Sequence, residues 1–303
     1  QGAIFTALGW VIVEETGSPV LVSLVITTFL APQIFAGPLG GAAADLFGRA
    51  LILRWGMVCR SLFSILLAIA LLIEPGAVWA LLTLNVVSAT VSGGTVPARR
   101  ALVADVVPKK DLTSAISMEE LGITVGFLTA PFLTGAILIA VSAEYVLFGI
   151  AAAFLLAAII VPSIASQSDA GNEALPKQPK SSWSMGTFEV FRDGLVYAWQ
   201  NPTLRTLLAV GFIGEVLAFN YISLAPIFTT DVFSGGSGLL GTLEGTMPAG
   251  EAIGVLLLAS IGYRLVKAGR WFLVGMIAVH VVAIPLALSS NLPTTLLLLV
   301  VIG

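Results

Sequence analysis

Cysteine occurs once in these 303 residues, at Cys59, and histidine once, at His280. A lone cysteine excludes an intramolecular disulfide, and its place in an apolar run assigns it to packing. A lone histidine with no Cys, Asp or Glu at ligand spacing speaks against a metal site, so His280 reads as a satisfied or cavity-facing residue before it reads as a proton relay. Charge is equally scarce, at 10% of residues, against 57% hydrophobic residues and a mean hydropathy of +1.02. That balance excludes an ordinary soluble domain. No GxSxG, His-rich cluster or Cys–His pair is present, so an enzyme is not expected. The glycine cluster SGGSG, Ser234 to Gly238, lacks the Lys-Ser/Thr of a phosphate loop and reads as an external turn. No cofactor, no metal and no nucleic-acid partner is implied, and the net charge of −3 adds nothing about partners.

Long apolar runs fill the space that charge leaves. A bilayer core about 30 Å thick needs roughly 20 apolar residues per helix. Ten runs are read, at 1–13, 19–42, 50–73, 77–101, 112–140, 143–163, 203–229, 237–262, 270–289 and 293–303. The expected class is an all-α polytopic membrane protein. The first and last runs are too short to span, Gln1 sits inside one and Gly303 ends another, which predicts a piece of a longer chain. Residues 1–13 do not read as a secretory signal, because no basic stretch precedes them and Glu14 and Glu15 follow.

Charge placement tests the helix count, because Lys and Arg stay on the cytoplasmic side and loops must alternate. Arg49 and Arg54 follow run 2, Lys109 and Lys110 follow run 4, Lys177, Lys180 and Arg192 follow run 6, and Arg264, Lys267 and Arg270 follow run 8. Arg60, Arg99, Arg100 and Arg205 lie within reach of the same loops by snorkelling or pairing. The other side holds Glu14, Glu15, Glu74, Glu144 and Asp231 and no basic residue. The even-to-odd loops are therefore expected in the cytoplasm.

About 40 residues between runs 6 and 7 break the pattern. SQSDAGNEALPKQPKSS reads as a flexible linker. In MGTFEVFRDGLVYAWQNPTLR, Phe188, Phe191, Leu195 and Trp199 recur at helical intervals, which suits an amphipathic helix on the membrane surface. The expected organisation is a transmembrane half at 1–163, a cytoplasmic linker at 164–202 and an incomplete second half at 203–303. Two such halves with a site near the midplane are a recurring transporter plan.

The stretch GGAAADLFGR, with Gly41, Asp45, Gly48 and Arg49, resembles the loop between helices 2 and 3 of the major facilitator superfamily. PARRALVADVVPKKDLTSAISM at 97–118 and FRDGLVYAWQNPTLRTLL at 191–208 resemble the branch of macrolide-efflux and enterobactin-exporter-like proteins. GITVGFLTAPFLTGAIL, with Gly122, Gly126, Pro131 and Gly135, is similar to the glycine-proline motif of the superfamily's antiporters. The resemblance extends over essentially all 303 residues. It implies a twelve-helix fold, of which about ten helices are present, and a gating role for Asp45 and Arg49; the alternative is that these charges only end helices and set topology. The loop departs from the family pattern at Leu46 and Ala50, where basic residues are usual. The matching second-half loop, SIGYRLVKAGRWF, keeps Gly262, Arg264, Gly269 and Arg270 but has no aspartate.

Ionised groups facing lipid cost on the order of 3 kcal/mol each on insertion scales, so Glu215, Glu244 and Glu251 inside runs 7 and 8 are expected to face a wet cavity or a partner. Glu244 and Glu251, seven apart, share a helix face. Glu215, backed by Asn220 and Tyr221, is the first candidate for proton or substrate binding, with Glu244 and Glu251 beside it. The alternative places Glu215 and Glu244 merely near the external mouth, or paired. Arg99, Arg100, Glu119 and Glu120 reach similar depths and are expected to pair, as a structural device before a proton route. Gly241, Gly245, Gly250 and Gly254 allow close helix contact.

The expected function is a secondary active transporter that exports a small hydrophobic drug-like molecule or siderophore in exchange for protons by alternating access. An uncoupled lipid or siderophore facilitator of the same fold is the alternative, and a channel fits the linker and helix number less well. Expected partners are a small-molecule substrate, protons and membrane lipid, with the protein a monomer in the plasma membrane, the bacterial inner membrane. Export direction follows from the resemblance alone.

Overall fold

The computed structural model describes residues 1–108, 111–171, 192–193, 196–218, 225–261 and 268–303. Ten α-helices account for almost all of them: α1 (Gly2–Thr16), α2 (Pro19–Phe47), α3 (Arg49–Ile73), α4 (Val78–Val106), α5 (Leu112–Ile137), α6 (Ala143–Gly171), α7 (Pro202–Ala218), α8 (Ser237–Ile261), α9 (Ala268–Ala287) and α10 (Leu292–Ile302). Among the described residues no strand occurs, and six helices are long and apolar enough to cross a membrane. Lipid offers no partner for backbone N–H and C=O groups, and a helix satisfies them within itself.

Several helices run past the apolar runs that predict them. Helices α2 and α4 continue to Phe47 and Val106, about one turn beyond the greasy stretch, because nothing in ADLF or ALVADV stops a helix. Helix α6 carries on to Gly171, eight residues into the expected linker; that glycine is the first after Gly149. Gly17 ends α1 in the left-handed conformation (φ 58°), its N–H bonded to the Val13 carbonyl. Gly48 joins α2 to α3 at φ 99°, a backbone open to glycine and strained for other residues.

The chain forms two compact units. The first comprises Gln1–Ser23, Leu121–Val146 and Leu208–Gly303. Its most buried helix is α1, where Ile4, Ala7, Leu8 and Ile12 are shut off from the surface. A second cluster in this unit joins Leu243, Leu286, Leu299 and Ile302 of α8, α9 and α10. Helix α5 meets α8 backbone to backbone: a Cβ on Gly135 would lie 2.7 Å from Gly241 Cα. Helix α10 presses the Val300 backbone on Gly250 in the same way. Only glycine permits such approaches, and in lipid they replace the hydrophobic effect as the source of helix association.

The second unit comprises Leu24–Glu120 and Leu147–Leu207. Leu53, Leu102 and Val161 form a small cluster between α3, α4 and α6. Buried polar side chains add specific ties: Asn85 Nδ2 donates to the Val25 carbonyl (2.8 Å) and to Thr28 Oγ1 (3.0 Å), and Ser61 Oγ donates to the Ala151 carbonyl (2.8 Å). Gly93 and Gly40 bring α2 and α4 into backbone contact.

Large apolar side chains face outward along whole helix edges, among them Leu155, Leu156, Ile159 and Ile160 of α6 and Ile277, Val281 and Ile284 of α9. In water such stripes would drive aggregation; in a bilayer they are the surface lipid wets. Exposed Trp55, Trp79, Tyr145 and Trp271 stand near helix ends, where amphipathic rings settle at the headgroup level.

Candidate functional site

Helix α8 carries the deepest described carboxyl group. Glu244 lies seven residues into the helix, about 10 Å from its start by helical rise, and is 8% exposed. Its Oε2 accepts a hydrogen bond from the Thr6 hydroxyl of α1, a side chain that is fully buried. The Gly2 carbonyl, 3.2 Å from Thr6 Oγ1, is that hydroxyl's other acceptor. This contact joins the first chain half to the second within one compact unit. Glu251, two turns further along α8, is exposed and forms no ion pair among the described residues. Glu215 belongs to α7 by its backbone, but its side chain, and Asn220 and Tyr221 entirely, lie outside the described residues.

The loop between α2 and α3 holds a second arrangement. Arg49 Nη1 contacts Asp105 Oδ1 of α4 at 2.5 Å and the Ala101 carbonyl at 3.2 Å, while its Nη2 lies 3.6 Å from Asp45 Oδ1. One guanidinium thus spans two carboxylates, a task suited to its planar fork. Gly48 supplies the positive φ that starts α3 with Arg49 in its first turn. Gly41 sits against Pro97, its would-be Cβ 3.7 Å from that ring. Of the second-half counterpart, Gly269 and Arg270 open α9, and Gly262 and Arg264 lie outside the described residues.

Between α4 and α5 the structure brings together Arg99 with Glu119 and Arg100 with Glu120, each at 2.8 Å. The Arg99 contact lies off its N–H axis and is an ion pair more than a hydrogen bond; Glu119 is the more buried acid, at 11% side-chain exposure. Arg60 does not snorkel. It lies eleven residues into α3, about 16 Å from its start, and places its guanidinium 4.2 Å from the Phe154 ring of α6. Along α5, Gly122 and Gly126 face open space, Pro131 packs on Gly2, and Gly135 is the close approach to α8. His280 Nδ1 donates to the Met276 carbonyl one turn back (2.6 Å), and its buried Nε2 has no partner among the described residues. Phe188, Phe191 and Leu195 of the expected surface helix lie outside the described residues; Trp199 is 72% exposed with the Arg205 guanidinium 5.8 Å from its ring.

Thr6 and Asp105 were not singled out by the sequence. A threonine in an apolar run carries no signal of its own, since its hydroxyl bonds the preceding turn in any helix. Asp105 had a weak signal: a carboxylate one turn before the loop that holds Lys109 and Lys110.

Comparison with known proteins gives one picture. The family model described as Major Facilitator Superfamily matches residues 1–303. The uncharacterized MFS-type transporter YfiS of Bacillus subtilis (strain 168) is 23% identical over 247 residues, which cover 82% of this chain and 56% of that protein. The chain thus spans little more than half the length of this curated relative. A bacterial homolog of the human lysosomal transporter Spinster, in an inward-facing and unoccupied conformation, matches with a TM-score of 0.69 at 18% identity, covering 99% of this chain and 69% of that one. A D-xylose-proton symporter matches with a TM-score of 0.64 at 15% identity, over 99% of this chain and 76% of the other. These relatives do not confirm the macrolide-efflux and enterobactin-exporter-like branch. An all-helical membrane fold, with its loop charges at Asp45 and Arg49 and a match that runs from the first residue to the last, makes this chain a member of the Major Facilitator Superfamily, a family of transporters and not of enzymes.

Proposed function

We propose that the protein to which this chain belongs is a proton-coupled exporter of a small, predominantly hydrophobic molecule, working by alternating access in the plasma membrane. The observation that carries this reading is Glu244, a buried carboxyl on α8 whose described hydrogen bond comes from Thr6 of α1. A buried carboxyl without a cation exists at low cost only when it is neutral or has taken up a positive charge, which is the property a proton carrier needs. The bond also links helices of opposite chain halves, 1–163 and 203–303, and rocking of those halves would break it. Glu215, Asn220 and Tyr221 on and after α7, and Glu251 on α8, are further proposed members of the binding region. Asp45, Arg49 and Asp105 would latch the cytoplasmic ends of α2, α3 and α4 through one state of the cycle. A monomer surrounded by lipid completes the reading.

For an uncharged substrate, each entering proton at 100 mV supplies about 2.3 kcal/mol, roughly fiftyfold in concentration. The second reading is an uncoupled facilitator of lipids or siderophores; the exposed position of Glu251 and the absence of a described charge relay around it favour that reading. The full-length protein in liposomes with an imposed pH gradient separates the two. Proton movement provoked by macrolides, dyes or siderophores supports exchange, and substrate movement without proton flux supports the facilitator.

A further inference from the structure

Arginines are satisfied in two different ways among the described residues. Arg49, Arg99, Arg100 and Arg192 each contact a carboxylate, Arg192 taking the neighbouring Asp193 at 3.0 Å. Arg205, the fourth residue of α7, contacts none; its guanidinium lies 5.8 Å from the centre of the Trp199 ring and forms no hydrogen bond among the described residues. Both side chains are exposed. A ring on the flat face of a guanidinium leaves its N–H edge free, and that edge matches the two oxygens of a phosphate.

The backbone between the two residues is fixed by its own hydrogen bonds. Asn201 N–H donates to the Tyr197 carbonyl (3.0 Å), closing the helical stretch that carries Trp199. Asn201 Oδ1 accepts from the N–H groups of Thr203 (3.1 Å) and Leu204 (3.2 Å) and so caps α7, and Pro202 fills the first helical position, where no N–H is needed. The Arg205 N–H donates to the Asn201 carbonyl at 2.9 Å. With these donors used, the start of α7 offers no backbone site for an anion, and recognition falls to the Arg205 side chain.

Beyond Arg205 the chain reads TLLAVGFIG, with no charge before Glu215, so this guanidinium stands where α7 enters the hydrocarbon. An exposed indole is at home at that level, among headgroups, and not in bulk water. Residues 177–205 hold four basic residues, Lys177, Lys180, Arg192 and Arg205, against two acidic ones, Glu189 and Asp193, a balance that draws anionic lipid. A zwitterionic headgroup gains less, because no described carboxylate lies against Arg205 to take its ammonium. We propose that Trp199 and Arg205 form a binding site for an anionic phospholipid of the cytoplasmic leaflet, Arg205 donating to the phosphodiester and Trp199 holding the guanidinium face. The site stands apart from proton coupling and keeps its meaning for either reading of transport.

The test is native mass spectrometry of the purified full-length protein in uncharged detergent, titrated with phosphatidylglycerol and, separately, with phosphatidylcholine of the same acyl chains. Diffuse attraction of one basic residue to an anionic surface is worth about fivefold in affinity, so a built site must exceed that. The proposal expects phosphatidylglycerol to bind about tenfold or more tightly than phosphatidylcholine, and Arg205→Gln to bring the two within about twofold. Trp199→Leu should weaken phosphatidylglycerol binding, and Arg54→Gln, which removes an exposed arginine of α3, should leave the preference intact. Equal binding of the two lipids by the wild type overturns the proposal, a result that stands even where a variant fails to fold. An unchanged preference in Arg205→Gln overturns it too, as does an equal loss in Arg54→Gln, which would make the attraction one of diffuse surface charge. Displacement of the bound lipid by an equal concentration of inorganic phosphate would assign the site to a free anion and overturn the lipid.

Discussion

At the scale of single residues, the account turns on which polar groups lie inside the bilayer and what each one touches. Removing the Thr6 hydroxyl withdraws the described donor from a buried carboxyl group, a loss of about 1–3 kcal/mol when the acceptor is left unsatisfied. Thr6→Val is therefore expected to lower the thermal midpoint of the purified protein, and Thr6→Ser to restore it. Arg49 is different, being a third exposed at its side chain, so its pairs with Asp45 and Asp105 are worth no more than about 1 kcal/mol to stability. Arg49→Lys should leave expression and melting near wild type and still slow transport, because a point charge does not span both carboxylates; equal transport rates would remove the latch from the mechanism. Glu244 was legible as a carboxylate in a greasy run. Its partner was not, because the sequence gives no sign of which face of an apolar helix a threonine occupies. Arg60 was read as reaching a loop by snorkelling or pairing; it lies eleven residues into α3 with its guanidinium over the Phe154 ring.

At the scale of helices, glycines of the same motif have unlike roles. Gly135 touches the α8 backbone, and Gly126 of the same helix faces open space. Gly135→Ala is expected to reduce folded yield sharply, while Gly126→Ala is expected to match wild type in yield and melting; size-exclusion chromatography of both variants in detergent checks this. Gly48→Ala should cost about 1–2 kcal/mol, since its φ of 99° lies where a Cβ is crowded. The ten helices themselves were legible, because twenty-residue apolar runs and alternating basic loops are strong signals that no soluble fold imitates. Their ends were less so: the membrane sets where the apolar residues stop, and helix propensity sets where the helix stops, as the extra turns of α2, α4 and α6 show.

At the scale of the molecule, the asymmetry of charge predicts orientation. With Cys59 replaced by Ala, a cysteine introduced at Gly76, between α3 and α4, should react with an impermeant thiol reagent added to whole cells, and one at Asp111, between α4 and α5, should not. The GGAAADLFGR stretch, lying between the second and third apolar runs, made the resemblance to the superfamily visible from the sequence. Which helices of the two chain halves touch was not visible: α1 and α5 pack on α8 through a hydroxyl and bare glycine backbones, and neither leaves a periodic signature. Under the proposed alternating access, those contacts are the ones that would be made and broken. Proton-coupled exchange through Glu244 is tested most directly by substrate-induced proton flux in liposomes holding the full-length protein, wild type beside Glu244→Gln and Glu251→Gln. The account predicts flux in the wild type, its loss in Glu244→Gln with the thermal melt preserved, and partial flux in Glu251→Gln; flux in Glu244→Gln equal to wild type would contradict it.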